Sequence, residues 1–371
     1  MADVFDYLRW RGDLTFSQDP PNEVDALIFS GLSYIRHSGR VEENPYGAVP
    51  LAEAATAFFE LPDCEDRVRV KNDLELLQAA AETVRFGGTK ICMYRDQLIP
   101  EQETQFAAMT FLLDDGSMFL AFRGTDHTLV GWKEDFNMTF QQTIPAQRLA
   151  LQYTRDVALE YDLPMHLGGH SKGGNLAVFA AARSSPMIQA RILDVYNQDG
   201  PGFTQYLMGD PGYLAMVPKI RTYIPQSSVI GMLLEHEEPY TVIRSKTVGL
   251  LQHDLYSWSV MGRSFLPVEE ITDSSQFIDA TIKTWFADMT NQERNQLVDV
   301  MFALLGTGGV DKALDIFHPR NIRNYVKTLS SDANMRKVLS TEFLSLMEAA
   351  KQTRAQFDEE KLLPEAESEE E

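Results

Sequence analysis

One serine in this chain lies where it could act as a nucleophile. Ser171 stands between Gly169 and Gly173 in a Gly-x-Ser-x-Gly pattern. That pattern matters only when a strand precedes it and a helix follows it. The sequence predicts both, as an extended run over 165–167 and an Ala-rich helix over 175–183. A tight turn between them exposes the hydroxyl, and the helix start points amides at any negative charge that forms there.

A serine hydroxyl needs a base to take its proton, and the chain has seven histidines. In sheets of this kind the order along the chain is serine, acid, histidine. Five histidines are set aside because they precede the serine, lie in its strand, adjoin it with the side chain pointing away, or lie in the C-terminal helices (His37, His127, His166, His170 and His318). His253 follows the last predicted strand and is the predicted base, with His236 in reserve.

An acid must orient that base. Asp199 follows the strand after the elbow, and Gly200-Pro201-Gly202 then breaks the chain, which fixes a carboxylate at a strand end. A turn-forming aspartate before glycine is the alternative interpretation. Glu235 is a weakly placed candidate. The sequence therefore predicts Ser171, Asp199 and His253 as a catalytic set.

The oxyanion formed during acyl transfer needs a pair of hydrogen-bond donors. One is predicted to be the backbone amide of Lys172, the residue after the serine. The other should come from an earlier loop, and the amide of Thr125 fits because Arg123-Gly124-Thr125 ends a predicted strand. An ordinary strand exit would explain that tripeptide equally well when it is taken alone.

The elements that must position these residues follow from the hydrophobic pattern. Strands alternate with helices, which predicts an α/β fold with a mostly parallel central sheet and helices on both faces. The turn signal at 114–117 predicts a hairpin, so the sheet should begin with antiparallel strands. The predicted strands are 89–94, 105–112, 118–122, 165–167, 192–196, 220–224 and 240–245.

Three segments are predicted along the chain. Residues 1–267 form the sheet domain with a helical N-terminal region, and 268–354 form a helical C-terminal region. Residues 355–371 form an acidic tail that is predicted to be disordered, because 358–371 carries eight carboxylates and one lysine. Within the first segment, the apolar stretch 203–217, to which 231–234 adds further apolar residues, could line an acyl pocket, form a lid, or be an ordinary core helix.

Composition excludes several classes of function. A formal net charge of −21 argues against nucleic acid and anionic membranes as partners. No apolar run is long enough to span a bilayer, and the N-terminus lacks the features of a signal peptide. The two cysteines, Cys64 and Cys92, suggest reduced thiols in a cytoplasmic protein. No metal-ligand cluster is visible in the sequence, and no cofactor is expected.

Three blocks taken together resemble the class 3 lipases, a branch of the α/β-hydrolase fold. They are Phe122-Arg123-Gly124-Thr125, Trp132-x-x-Asp135 and Gly169-His170-Ser171-Lys172-Gly173-Gly174. Over about residues 1–260 the sequence resembles an uncharacterised bacterial branch of lipase-like α/β-hydrolases more closely still. The resemblance implies serine esterase or lipase chemistry, with Thr125 in the oxyanion loop, Ser171 as nucleophile and His253 as base. It also implies that Trp132 and Asp135 hold the loop.

The chain departs from the class 3 pattern at two points. Lys172 stands where those lipases usually carry an apolar residue. Their acid normally follows the next strand, and here the corresponding stretch, 223–230, contains no carboxylate. Either Asp199 has taken this role one strand earlier, or the acid is absent.

The departures leave more than one function open. The first hypothesis is a serine hydrolase that acts on a small-molecule or acyl-lipid carboxylic ester. The second is a catalytically weak or inactive scaffold that binds a partner through its C-terminal helices and acidic tail. Thioesterase or peptidase chemistry on the same triad is a third.

Overall fold

The computed structural model describes residues 1–37, 39, 41–126, 128–307 and 318–360. Two compact units divide the chain, a sheet unit over Met1–Ile271 and a C-terminal unit over Thr272–Glu371. Every candidate site residue predicted above lies in the sheet unit.

Within the described residues, eight strands form one sheet in which spatial order follows chain order. The first four strands pair antiparallel, and the pairs from the fourth to the eighth are parallel. This confirms an α/β fold whose sheet begins antiparallel. The strands are β1 (Val49–Pro50), β2 (Lys90–Ile99), β3 (Thr104–Leu112), β4 (Met118–Phe122), β5 (Met165–His170), β6 (Ile192–Gln198), β7 (Ile220–Pro225) and β8 (Tyr240–Ile243), with β9 (Val260–Met261) pairing to β10 (Ser264–Phe265) beside the sheet.

Helices occupy the connections of the sheet unit. They are α1 (Val4–Arg11), α2 (Glu23–Leu32), α3 (Leu51–Phe59), α4 (Lys71–Ala81), α5 (Val84–Gly87), α6 (Leu129–Asn137), α7 (Pro145–Glu160), α8 (Lys172–Arg183), α9 (Pro186–Arg191) and α10 (Pro211–Met216). The segment Gly249–His253, which carries the predicted base, is a 3₁₀ turn.

Apolar side chains cover both faces of the sheet. On β4, Phe119 and Ala121 face a core shared with α1, α2 and α4, whereas Leu120 and Phe122 face a second core shared with α7 and α8. This alternation follows from the two-residue period of a strand. The helices are therefore distributed over both faces, as predicted.

Local chemistry explains the predicted hairpin between β3 and β4. The Asp115 carboxylate accepts hydrogen bonds from the backbone amide and the hydroxyl of Ser117. Gly116 takes a φ of +84°, which a side chain would disfavour. The turn fixes the pairing of Leu112 with Met118 and so aligns β4 beside β5, the strand that leads to Ser171.

The C-terminal unit is helical over its described residues. It contains α11 (Asp273–Ala287), α12 (Asn291–Gly306), α13 (Pro319–Ser331) and α14 (Ala333–Glu360). The predicted disorder of 355–371 is wrong for 355–360, which continue α14. The Phe357 ring packs on Phe277, and Arg354 pairs with Asp358 one turn later, which stabilises this end of the helix. Residues 361–371 lie outside the described residues.

Among the described helices, none combines the length and the apolar character needed to cross a bilayer.

Candidate active site

Ser171 occupies a strained turn between β5 and α8. Its backbone has φ 60° and ψ −133°, a conformation that a residue with a side chain rarely adopts. A Cβ at Gly169 would lie 2.3 Å from the carbonyl carbon of Gly173, and one at Gly173 would lie 2.1 Å from the Phe122 oxygen. Both positions therefore require glycine for the turn to close against β4.

The three residues predicted as a catalytic set lie in one hydrogen-bonded chain. Nδ1 of His253 is 2.6 Å from Oδ2 of Asp199, and Nε2 of His253 is 3.0 Å from Oγ of Ser171. Because a carboxylate only accepts, Nδ1 carries the hydrogen and Nε2 is left to accept the serine proton. This arrangement can activate a serine hydroxyl.

Asp199 is fully buried and held from several sides. Its Oδ1 accepts hydrogen bonds from the Ser228 hydroxyl at 2.5 Å and the Gly231 amide at 3.2 Å. Its own amide donates to the Tyr223 carbonyl at 2.8 Å, which fixes a backbone with φ 54°. Ser228 lies in the stretch where class 3 lipases carry their acid. In this chain that stretch instead holds the carboxylate of the neighbouring strand end.

His170 supports the segment that carries His253. Its Nε2 donates to the His253 carbonyl at 2.7 Å, and its Nδ1 accepts from the Tyr34 hydroxyl at 3.0 Å. Burial lowers the pKa of His170 well below its ordinary value, and the neighbouring His253 and Arg69 lower it further. His170 therefore remains neutral and keeps this tautomer. His170 is set aside as the base in the sequence analysis, and its partners Tyr34 and His253 could not be predicted there.

The predicted oxyanion loop lies against the elbow. A Cβ at Gly124 would be 3.2 Å from the Ser171 Cβ. The Thr125 hydroxyl donates to both carboxylate oxygens of Asp135, at 2.7 and 2.6 Å. Lys172 is the first residue of α8, so its amide has no acceptor within the helix.

Asp135 and Trp132 differ in what they do in the described structure. Asp135 binds the Thr125 hydroxyl, whereas Trp132 is 40% exposed on α6. Of these two residues, Asp135 is therefore the one that accepts a hydrogen bond from Thr125 within the described part of the chain.

The side chain of Lys172 turns away from the serine into a buried polar cluster. Its ammonium donates to the carbonyl and the side-chain oxygen of Gln105, both at 2.8 Å, and to Glu134 at 2.9 Å. Lys172 and Glu134 are both fully buried, so their charges compensate each other away from water. This pairing explains how a lysine fits where an apolar residue is usual.

Asp135 has a shifted acidity. Burial raises the pKa of Asp135 to about 6, although 31% of the side chain remains accessible at the site. The Lys172 ammonium, 3.9 Å from Oδ1, and the Thr125 hydroxyl lower it, while Glu134 raises it. The carboxyl is therefore mostly ionised at neutral pH and above.

A small, mainly apolar cavity opens beside Ser171. It has a volume of about 60 Å³. Its lining residues are Asp135, Met138, Thr139, Ser171, Lys172, Pro201, Ile230, Leu233 and Leu234.

The stretch 203–217 is buried in part. Phe203, Leu207, Tyr213 and Met216 are buried in the core shared with α8, whereas Tyr206 and Leu214 are 45% and 48% exposed. The core interpretation therefore fits the four buried side chains. The cavity beside Ser171 is lined by apolar residues at 230–234.

The reserve candidates do not contact Ser171. His236 lies 3.0 Å from the Gly231 carbonyl through Nε2 and 3.1 Å from Glu238 through Nδ1. Glu235 forms a backbone bridge to Phe203. Among the described residues, no group of three or more His, Cys, Asp or Glu side chains is placed to hold a metal ion.

Comparison with known proteins gives one family match. The Mbeg1-like family model matches residues 80–303. No curated protein matches the chain by sequence. Among solved structures, a native lipase propeptide complex from Rhizomucor miehei matches with 14% identity and a TM-score of 0.36, covering 59% of this chain and 67% of that chain. A mutant form of MDLA from Penicillium cyclopium matches with 12% identity and a TM-score of 0.36, covering 67% of this chain and 87% of that chain.

Proposed function

The chain belongs to the Mbeg1-like family, and we propose that it is a serine hydrolase of the α/β-hydrolase fold. It cleaves a carboxylic ester of a small-molecule or acyl-lipid substrate. The hydrogen-bonded chain from Asp199 through His253 to Ser171 carries this proposal, at 2.6 and 3.0 Å. The same proposal includes the sequence resemblance to a bacterial lipase-like branch. It also includes the expected cytoplasmic location, with Cys64 and Cys92 as free thiols.

The geometry supports acyl transfer through an acyl-enzyme. Ser171 Oγ attacks the ester carbonyl carbon while His253 Nε2 takes its proton. The Asp199 carboxylate orients the ring and stabilises the imidazolium. The amides of Thr125 and Lys172 bind the oxyanion of the tetrahedral intermediate.

Collapse of that intermediate completes the first half of the reaction. The bond to the alkoxy oxygen breaks, and His253 returns the proton to the leaving alcohol. A water molecule, deprotonated by the same ring, then attacks the acyl-serine. The acid is released, and Ser171 recovers its proton.

The cavity beside Ser171 suggests where the acyl group binds. Met138, Pro201, Ile230, Leu233 and Leu234 provide apolar surface next to the nucleophile. Apolar lining with few polar groups suits an acyl chain better than a charged or strongly polar one. The same triad would cleave a thioester or a peptide. The cavity would bind the acyl part of any of these substrates.

The scaffold alternative depended on a missing acid. Its motivation weakens because a fully buried carboxylate lies 2.6 Å from the candidate base. A partner for the acidic tail remains a separate matter, since residues 361–371 lie outside the described part of the chain.

Hydrolysis of p-nitrophenyl butyrate tests the proposal. Wild type should hydrolyse the ester, Ser171→Ala should abolish turnover, and Asp199→Asn should lower kcat by about 10³–10⁴-fold, as in other triads that lose their acid. Ser184→Ala is the matched control, because Ser184 follows the far end of α8 and its hydroxyl donates to the Ala180 carbonyl of that helix. A Ser171→Ala rate equal to that of wild type, with the fold retained by circular dichroism, would overturn the proposal.

A further inference from the structure

A buried lysine directly follows the candidate nucleophile. The Lys172 side chain is fully buried, and its ammonium is fixed by two oxygens of Gln105 and one of Glu134, all within 2.9 Å. Burying an ammonium and a carboxylate costs desolvation free energy and often stabilises a fold no better than apolar residues of similar volume. Stability alone therefore gives a weak reason for a lysine at this position.

The same ammonium also faces a second carboxylate. Glu134 and Asp135 are consecutive on α6, and Lys172 lies 2.9 Å from the first and 3.9 Å from the second. Burial raises the pKa of Asp135, and the neighbouring Glu134 raises it further. The Lys172 ammonium lowers it, so this cation offsets part of the cost of ionising Asp135.

Asp135 connects this cluster to the oxyanion loop. Both of its oxygens lie within 2.7 Å of the Thr125 hydroxyl. Only an ionised carboxylate accepts from that hydroxyl with both oxygens. A protonated Asp135 carboxyl would instead donate to the Thr125 oxygen. The Thr125 hydroxyl would then no longer be held by both oxygens of Asp135.

We propose that Lys172 is a positioning residue of the oxyanion hole: its ammonium keeps Asp135 ionised, and ionised Asp135 holds Thr125 in place beside Ser171. The inference depends on the proposed hydrolase function only for the catalytic consequence. The link from Lys172 to Asp135 stands on contacts alone. Lys172 touches no reacting atom through its side chain and acts through Asp135 and Thr125.

The charges facing Asp135 determine in which direction its pKa should move in each variant. Lys172 on α8 lowers the pKa of Asp135, Glu134 on its own helix raises it, and His253 on the 3₁₀ turn lowers it when charged. Tyr34, whose own pKa is raised by burial and by Asp135, faces the cluster from the segment after α2. Removing Lys172 should therefore raise the pKa of Asp135 above about 6, and removing the charge of Glu134 should lower it.

Carboxyl-carbon NMR titration measures this directly. Wild type, Lys172→Met and Glu134→Gln are compared, and the Asp135 resonance is identified by its absence in Asp135→Asn. The expected midpoints move upward in Lys172→Met and downward in Glu134→Gln. A purely structural role would not produce opposite shifts. An unchanged midpoint in Lys172→Met would overturn the proposal.

The pH profile of kcat/KM on p-nitrophenyl butyrate supplies the catalytic readout. Lys172→Met should move the acidic limb to higher pH and lower kcat/KM at pH 7 by about tenfold, less than the loss of roughly 100-fold or more on removing an oxyanion donor itself. Lys133→Met is the matched control, since Lys133 lies on α6, the helix that carries Asp135, and pairs with Glu103 at 2.7 Å. The acidic limb of this variant should not move. Lys172→Arg, which retains the charge, should restore part of the activity.

A double variant separates Asp135 from other routes. In an Asp135→Asn background, Lys172→Met should cause no further shift of the limb. An equal shift there would mean that Lys172 acts on His253 instead, and the proposal would be wrong. If Lys172→Met fails to fold because Glu134 is left unpaired, Lys172→Met with Glu134→Gln replaces it, with a smaller upward shift expected. Absence of activity in wild type would reject the hydrolase function, whereas the NMR titration would still decide the link to Asp135.

Discussion

Ser171 and Asp199 both hold backbone conformations that residues with a side chain rarely adopt, with φ of 60° and 54°. Each such residue costs about 1–3 kcal/mol and persists only where its surroundings fix it. The amide of Ser171 donates to Gln198, and that of Asp199 donates to Tyr223. The proposed nucleophile and the proposed acid are thus both held at neighbouring strand ends. This preorganisation is what electrostatic catalysis requires.

His37 gives a residue-scale prediction about stability and pH. Its side chain is 1% exposed beside Phe58 and Tyr94, and burial lowers the pKa of His37 from 6.5 to about 4. The unfolded chain therefore binds a proton between these pH values and the folded chain does not. The contribution of neutral, buried His37 to the free energy of unfolding is therefore fully present above pH 6.5, and it is lost as the pH falls towards 4.

The loss attributed to His37 is about 3 kcal/mol across that interval. His37→Leu should remove it, so that the free energy of unfolding falls less between pH 7 and pH 4 than in wild type. Urea unfolding at a series of pH values measures the difference. Parallel pH curves for the two proteins would contradict the assignment.

At the scale of elements, regular patterns were sufficient to predict seven of the eight strands described in the sheet. The strands β2 to β8 were found within a few residues because alternation and flanking turn signals mark them. β1 was missed because its two residues, Val49 and Pro50, are too few to show an alternating pattern. They join the sheet by pairing with β2. The long apolar stretch 203–217 was ambiguous, since a core helix and a pocket wall both need apolar residues.

Apart from the set Ser171, Asp199 and His253, the side-chain contacts between elements distant in sequence could not be predicted. Ser228 reaches Asp199 across neighbouring strands, and Tyr34 reaches His170 across 136 positions. Lys172 was recognised as unusual, but its partners Gln105 and Glu134 lie 67 and 38 positions away. A single sequence carries no signal for such pairs. The Gly-x-Ser-x-Gly motif is different, because its turn is local and its chemistry is written in consecutive residues.

The cavity-lining segment 230–234 gives a prediction at the scale of elements. Leu234 lines the cavity with a φ of 67°, and the adjacent Leu233 carbonyl accepts from the Gly202 amide. Leu234→Gly removes both the side chain and the conformational cost. Leu234→Ala removes only most of the side chain. The glycine variant should be more stable than the alanine variant by about 1 kcal/mol.

Both Leu234 variants widen the cavity and should raise hydrolysis of p-nitrophenyl octanoate relative to the butyrate. Thermal unfolding and the ratio of the two rates measure these effects. Equal stability of the two variants would argue against strain at Leu234. An unchanged rate ratio would argue against this cavity as the acyl site.

At the scale of the whole molecule, the candidate chemistry is confined to the sheet unit. Ser171, Asp199 and His253 lie within Met1–Ile271, whereas the Mbeg1-like match at 80–303 continues through α11 and most of α12. Composition indicated an acidic C-terminus but not its helical start. Charge density favours disorder, yet α14 continues to Glu360, and the Phe357 ring near its end packs on Phe277.

Reaction with a fluorophosphonate probe tests the central claim most directly, because the probe phosphonylates only an activated serine. Peptide mapping of the full chain by mass spectrometry should find one modification, at Ser171. It should be absent in Ser171→Ala and strongly slowed in His253→Ala. Folded wild-type protein that stays unlabelled at Ser171, while a known serine hydrolase in the same tube is labelled, would contradict the account.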